Sequence, residues 1–542
     1  MSSDFDFIII GAGSAGCVLA DKLSETGEYK VLLIEAGPSD KNFWIKMPIG
    51  YGINFTNKSI NWCYNTDPEK NLNNRAIFMP RGKVLGGSSS INALVYHRGQ
   101  SKDYNDWAAE GNYEWGYDNL KQYFNSFENF KDKNNPKVKN NKNSLPVNNV
   151  WKDYHSLKNV FLDCCMQSQF PTSKLGFIEG EGIGPYLITT KKGKRFSSAD
   201  SFLKPSLKRP NLKLFTNTLV RKIIIKNHRA VGVELFKRKS VKEKQHFTIE
   251  AKKEVLLCAG AINSPQLLQL SGIGDRQLLE KHQIQTVLDQ PNVGKHLQDH
   301  LGINYYSKAK IPTLNDILGN WSGLLKSGVE YIFRGTGPLS LGVNQIGGLV
   351  KSSASEKNAD MQLYLNPVSY TLRKGNVRQL TKPDKYSGFF LSFNSCRPES
   401  RGEVNIQSND PEKPPKIICN YLSHNKDIQD IIKGARLIAR LQETEAIKRL
   451  LKEPPFTPLS NMTDDEIIYD FQNRSGTVFH PCGTCKMGSD PATSVVDSKL
   501  NVHNISNLRV VDASIFPNIT SANTNSPTIM IAHKAADMIL EN

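Results

Sequence analysis

Residues 5–37, FDFIIIGAGSAGCVLADKLSETGEYKVLLIEAG, leave this chain few choices of fold. FDFIII is a short apolar run suited to a buried parallel strand. Gly11, Gly13 and Gly16 follow in the spacing G-x-G-x-x-G, CVLADKLSE carries apolar residues at helical intervals, and KVLLIEAG reads as a second strand ending in Glu35. Each glycine has a physical task. Gly11 allows a tight turn, Gly13 lets a pyrophosphate approach the backbone, and Gly16 lets helix and strand pack closely. The helix N-terminus then turns its free N–H groups toward the phosphates, and Glu35 is placed to accept ribose hydroxyls. This order predicts a dinucleotide site. An acid at Glu35 disfavours a 2′-phosphate and so NADP, but this unit alone does not separate FAD from NAD.

The chain has 542 residues, 39% of them hydrophobic, with nine cysteines and a formal net charge of +17. Its mean hydropathy is −0.43. That length predicts two domains or more. No uninterrupted apolar stretch approaches the roughly 20 residues of a spanning helix. MSSDFDFIIIGAGSAG lacks the basic region, long apolar run and cleavage site of a secretory signal. The odd, scattered cysteines suit a reducing compartment rather than a disulfide framework. The expectation is a cytoplasmic protein. Its lysines are dispersed among asparagines, as in KDKNNPKVKNNKN, with no zinc-finger spacing, RNA-binding aromatic box or basic helix. No nucleic-acid partner is therefore expected, while attraction to an anionic membrane face or substrate stays open.

A second glycine cluster, RGKVLGGSSSINALVYHRGQ (residues 81–100), sets Gly86-Gly87 before three serines, with apolar residues on both sides. It reads as a bare-backbone turn that a phosphate or ring can approach, not as a flexible linker. Together with GAINSPQLLQLSGIG (residues 260–274), it resembles the two signature motifs of the glucose–methanol–choline (GMC) family of FAD-dependent oxidoreductases. The resemblance runs from Phe5 to about Ile539 and looks nearest to the choline-dehydrogenase-like branch. It implies FAD, and it implies cofactor contacts at Ser14, Ala15, Ala36, Val84, Gly86, Gly87, Ser88, Asn92, Ala93, Leu94, Val95, Val220 and Ala259, beside Gly11, Gly13, Gly16 and Glu35.

The C-terminal stretch NLRVVDASIFPNITSANTNSPTIMIAHKAADMIL reads as a strand at residues 508–511, an irregular loop and an amphipathic helix. Ser526 is placed to cap that helix and Pro527 suits its first turn. By resemblance the helix points its positive end at the flavin, where it would stabilise a reduced ring. Asp512 and Ala513 are implied near pyrophosphate and flavin, Asn525 at the flavin ring, and Pro527 and Thr528 among the cofactor contacts.

Between them lies HPCGTCKMG, residues 480–488. A C-x-x-C supplies two zinc ligands, and no second C-x-x-C or H-x-x-x-H completes a set. A dithiol redox pair expects a thioredoxin-like unit, which this sequence lacks. No metal is expected. The resemblance answers differently: His480 matches the family's base and Asn523 its second active-site group, leaving Cys482 and Cys485 to pack. Alcohol oxidation needs a base near the oxygen, a donor to hold the oxyanion, and a hydride acceptor at the α-carbon. His480, Asn523 and flavin N5 would fill these roles, converting a primary alcohol to an aldehyde, or to the acid if its hydrate reacts again.

Three departures from the choline-oxidising pattern matter. Ile91 stands where covalent members carry the histidine that links FAD, so FAD is expected to bind non-covalently. Gln345 stands where the aligned pattern has a glutamate, which puts choline in doubt because a quaternary ammonium favours a carboxylate or full aromatic cage. Phe479 keeps an aromatic wall without a tyrosine hydroxyl, and KVKNNKNSLPVNN (residues 137–149) replaces the His-Gly and Gly-Pro run common in relatives, so the loop at 131–150 is expected to differ in shape. The expected architecture is α/β: a Rossmann-type FAD domain, discontinuous in sequence, with an inserted substrate domain of antiparallel sheet and helices. Its segments are 1–302 (FAD region), 303–477 (substrate region) and 478–542 (return to the FAD domain with the catalytic residues). Choline and hydroxy-acid oxidation, lyase or photodecarboxylase chemistry, and FAD retention without turnover remain alternatives. The electron acceptor, whether oxygen, a quinone or a soluble carrier, is not legible.

Overall fold

A computed structural model describes residues 5–130, 143–238, 244–372 and 378–541. Most of the anomalous stretch at 131–150 falls outside them. The N-terminal unit forms as its pattern predicts: strand Phe5–Ile10, helix Ser14–Leu23 and strand Val31–Ile34. Their side chains are almost wholly buried, as a parallel strand packed on both faces requires. Gly16 is obligatory here. A Cβ at this position would lie 1.9 Å from the Gly11 carbonyl oxygen, so only glycine lets helix and turn close together.

Strands Leu212–Phe215, Val31–Ile34 and Phe5–Ile10 and the C-terminal half of Lys244–Leu257 run parallel, in that order, and Leu508–Val510 joins the last of them, also parallel. The N-terminal half of Lys244–Leu257 instead pairs antiparallel with Arg229–Arg238, which pairs with Thr218–Lys226. A strand arriving more than two hundred and fifty residues after Lys244–Leu257 thus completes the nucleotide sheet.

The second sheet is antiparallel throughout, ordered Gly476–Thr477, Leu301–Lys308, Gly388–Ser395, Met361–Asn366, Ile346–Val350 and Gly182–Pro185. Helix Asn425–Glu443 packs on it so closely that a Cβ on Gly434 would lie 2.1 Å from the Phe393 ring. This is α/β architecture with a parallel nucleotide sheet and a separate antiparallel sheet. The run Gly182–Pro185 joins the second sheet from far upstream of the inserted stretch, a crossing that periodicity could not have revealed.

Candidate active site

A large cavity is lined by residues of both sheets, and most of the cofactor residues read from sequence line it. Gly11, Gly13, Ser14, Ala15, Glu35 and Ala36 contribute from the first unit, and Gly87, Ser88, Asn92, Ala93, Leu94 and Val95 from the second glycine cluster. Val220, Ala259, Asp512, Ala513, Asn525 and Thr528 complete that half. Gly16, Val84, Gly86 and Pro527 stand behind the wall. The Gly86 N–H donates to the Ala12 carbonyl at 2.7 Å, and a Cβ on Gly87 would lie 2.7 Å from Gly13 Cα. The two glycine turns are therefore pressed backbone to backbone, which is why Gly87 must be bare.

The donor set fits a flavin dinucleotide. Helix Ser14–Leu23 has Gly13 as its N-cap and no side chain closing its free N–H groups, and the helix Asn525–Leu540 begins at Thr524 equally uncapped. Both N-termini belong to the cavity lining, so two positive helix ends are available to anionic or electron-rich parts of a ligand. A Cβ on Gly13 would meet nothing nearer than 4.0 Å, so space remains beside that turn. Glu35 accepts from Ala12 N at 2.9 Å and Gly37 N at 2.8 Å, while burial pushes its carboxyl up to about 7. Asp512 is anchored by Gly260 N (2.8 Å), Ser264 Oγ (2.6 Å) and Ser514 N (2.8 Å), and Ser14 Oγ donates to Asn525 Oδ1 at 2.7 Å.

One expectation is corrected here. Ser526 does not cap the C-terminal helix, whose first residue is Asn525 and whose N-cap position is Thr524. Its hydroxyl donates instead to Tyr96 Oη at 2.8 Å.

At the other end of the cavity His480 and Asn523 meet. Asn523 Nδ2 lies 3.0 Å from His480 Nε2, and His480 Nδ1 lies 3.0 Å from Nδ1 of His300. His300 was not singled out in the sequence. The only signal was an acid–histidine pair, Asp299-His300, immediately before a buried strand.

The partners fix the protons along this row. His300 Nε2 faces the Cys396 carbonyl at 2.9 Å, and a carbonyl only accepts, so Nε2 carries hydrogen. A neutral His300 then has a bare Nδ1, and His480 must donate to it from its own Nδ1–H. His480 Nε2 is left with a lone pair, which the Asn523 amide meets as donor. Burial, with His300 and Arg81 nearby, holds the His480 imidazole well below its usual value, and burial lowers His300 to about 4. Both rings are therefore neutral at neutral pH.

The backbone is held as firmly. His480 N donates to Asp299 Oδ1 at 2.7 Å, and Asp299 Oδ2 accepts from Tyr421 and Thr477. Phe479 adopts φ 73°, a left-handed conformation costly for a bulky residue. Its N–H donates to Thr477 Oγ1 at 2.7 Å and its carbonyl accepts from Arg81 Nη2 at 3.0 Å. These bonds hold the strained turn that aims His480 into the cavity.

Gln345 is a second correction. It is buried, but its Oε1 accepts from His155 N at 2.9 Å and it does not line the cavity; its neighbour Asn344 does. Gln345 therefore cannot set substrate charge. Around His480 the lining is aromatic and amide: Tyr51, Phe55, Trp62, Tyr364, Tyr370, Phe390 and Phe479, with Asn304, Asn344 and Ser392. Among the described lining residues the acids are Glu35 and Asp512, both engaged by backbone N–H groups as above. Cys482 and Cys485 are fully buried, and burial pushes both thiols up, away from the reactive thiolate. No group of three metal-binding side chains occurs among the described residues.

The GMC oxidoreductase family model matches residues 5–302 in its N-terminal part and 398–532 in its C-terminal part. The chain belongs to this family. It is 38% identical over 540 residues to an alcohol dehydrogenase [acceptor] of Pseudomonas putida, covering 99% of this chain and 96% of that one. It is 37% identical over 555 residues to an oxygen-dependent choline dehydrogenase of Photobacterium profundum, covering 100% and 94%. Among solved structures, pyridoxine 4-oxidase from Mesorbium loti superposes with a TM-score of 0.88 at 26% identity, covering 99% of this chain and 100% of the other. As a GMC oxidoreductase the chain is an enzyme of the class that acts on CH–OH donors.

Proposed function

We propose that this GMC oxidoreductase oxidises a neutral primary alcohol with an apolar body to the aldehyde, using FAD bound without a covalent link. The observation that carries the reading is the hydrogen-bonded row from the Cys396 carbonyl through His300 and His480 to Asn523. When bound, FAD supplies the acceptor for the hydride leaving the α-carbon.

The chain's own residues do the rest. An alcohol hydroxyl entering between His480 and Asn523 replaces their direct bond, giving its O–H to Nε2 and accepting from Asn523 Nδ2. His480 takes the proton at Nε2 as the C–H bond breaks, so the oxygen lone pair can form the carbonyl. The resulting imidazolium keeps its Nδ1–H on His300, and His300 keeps its Nε2–H on Cys396. Asn523 offsets charge on the oxygen throughout. A positioned base of this kind contributes about 10²–10⁴-fold.

Non-covalent binding rests on Ile91, which lines the cavity and has no nitrogen to form a link. Acid precipitation of the yellow protein should release all its FAD to the supernatant. Flavin retained in the denatured pellet would end that part of the proposal.

Substrate class follows from the lining. An aromatic wall without a free carboxylate suits an uncharged, apolar chain. Arg81, the cation on the described lining, donates Nε to Pro80 and Nη2 to Phe479, which weakens the hydroxy-acid reading. Choline is the second reading, favoured by the aromatic residues and by the 37% identity to a choline dehydrogenase. An anaerobic screen that follows loss of flavin absorbance decides between them. A neutral primary alcohol should bleach the flavin faster than choline at equal concentration, and choline as the fastest substrate would reverse the assignment. The same reading divides the chain at 302 and 477 into an FAD region, a substrate region and a C-terminal return that carries His480 and Asn523.

A further inference from the structure

Helix Trp321–Arg334, WSGLLKSGVEYIFR, has its amphipathicity inverted. An ordinary surface helix buries its apolar stripe and shows its polar one. Here the inward residues are Ser327 and Tyr331, while Leu324, Leu325 and Val329 are exposed, as are Trp321 (77%), Ile332 (71%) and Phe333 (82%). The helix is not a frayed remnant. Asn320 caps its N-terminus by accepting from Ser322 N, and Gly335 closes its C-terminus with φ 65°. A well-made helix is thus holding large apolar side chains in water, where so concentrated a patch marks an interaction surface.

Two neighbouring segments extend the patch. The hairpin of Thr190–Lys191 and Lys194–Arg195 presses its turn against the helix end, where a Cβ on Gly193 would lie 1.8 Å from the Gly335 carbonyl oxygen. Arg195 Nε in turn donates to the Ile45 carbonyl at 3.0 Å, joining the hairpin to the short helix Phe43–Lys46, whose Phe43 and Trp44 are also exposed. The exposed charged residues of the hairpin and the helix are all basic. Lys191, Lys192 and Lys194 of the hairpin and Lys326 and Arg334 of the helix are all exposed. The helix's acid, Glu330, accepts from Thr336 Oγ1 at 3.1 Å.

We propose that this face docks on an anionic lipid bilayer, with the helix lying in the interfacial plane, its tryptophan, leucine and phenylalanine side chains inserted, and the lysines at the headgroups. Apolar residues framed by Lys and Arg on a helix too short to span are the physical signature of interfacial binding. A second copy fits less well, because a two-fold contact would set the basic rim against its own image. The inner side of the helix lies close to the active-site wall. Tyr331 packs with Met47 and Leu339, and the flanking Ile49 and Leu318 also pack against the cluster containing Tyr51 and Val343 of the cavity lining.

The test is sedimentation of the FAD-loaded full chain with vesicles of phosphatidylcholine alone and of phosphatidylcholine mixed with phosphatidylglycerol. Binding to the mixed vesicles is expected, weakening as salt rises. The double variant Ile332→Glu/Phe333→Glu should lower it by about tenfold or more, with flavin bleaching by a small water-soluble alcohol unchanged. Charge reversal at Lys191, Lys192 and Lys194 should lower binding to the mixed vesicles while leaving the same bleaching intact. The proposal fails if wild type does not sediment with mixed vesicles, or if the Glu variant binds them equally. It also fails if wild type forms a dimer that Phe333→Glu abolishes, which would show that a second copy covers the face.

Discussion

Replacing His480 with alanine is expected to slow anaerobic bleaching of the flavin by a neutral alcohol about 10²-fold or more, while the protein stays yellow. The size follows from removing a positioned base. Retention of colour follows from geometry: the glycine turns, Glu35 and Asp512 that would hold the cofactor are anchored to backbone groups and not to His480. Bleaching within a few-fold of wild type would move the base elsewhere. Loss of colour would mean that His480 supports the fold rather than the chemistry.

His300→Phe should be nearly as damaging, although His300 meets the alcohol nowhere in the proposed arrangement. The ring volume is kept, but the acceptor for His480 Nδ1–H is lost. An orphaned N–H in this buried place costs roughly 1–3 kcal/mol, enough to favour the other tautomer, in which Nε2 carries the hydrogen and faces Asn523 donor to donor. Bleaching should fall by roughly 10- to 100-fold, the factor corresponding to that cost, with substrate affinity little changed. His300→Asn, whose amide oxygen can accept, should recover part of the rate. Equal rates in both variants and wild type would show that the row of bonds does not set the tautomer.

What could be read from the sequence was whatever depends on local backbone demands. Gly16 and Gly87 are legible because any side chain there collides with a neighbouring turn, so the requirement is written at the position itself. His480 and Asn523 were found through a family resemblance, and the fold brings them within hydrogen-bonding distance. His300 and Arg81 escaped because their meaning comes from tertiary contacts across the chain, with His480 and with the Phe479 carbonyl. Gln345 was misjudged by one position. It stands at the edge of a strand, where successive side chains face opposite ways, so Asn344 reaches the cavity and Gln345 does not. Ser526 failed as a cap because the helix starts two residues early, at Asn525, and the Ser526 hydroxyl turns to Tyr96. Periodicity alone does not say which stripe of a helix is covered, so the outward apolar face of Trp321–Arg334 shows only in the fold.

The central claim is that His480 works as an uncharged base whose proton affinity is depressed by burial and by its neighbours, His300 and Arg81. Only the neutral ring can accept the alcohol proton, so the rate falls where the ring becomes protonated. Because the folded site holds the imidazole below its ordinary value of about 6.5, neutrality persists as pH drops through that value. The deciding measurement is the anaerobic rate of flavin bleaching by a neutral alcohol, followed across pH in the wild-type enzyme. The rate should remain level through pH 6.5 and decline only at distinctly lower pH. A tenfold fall per pH unit beginning at or above 6.5 would contradict the account.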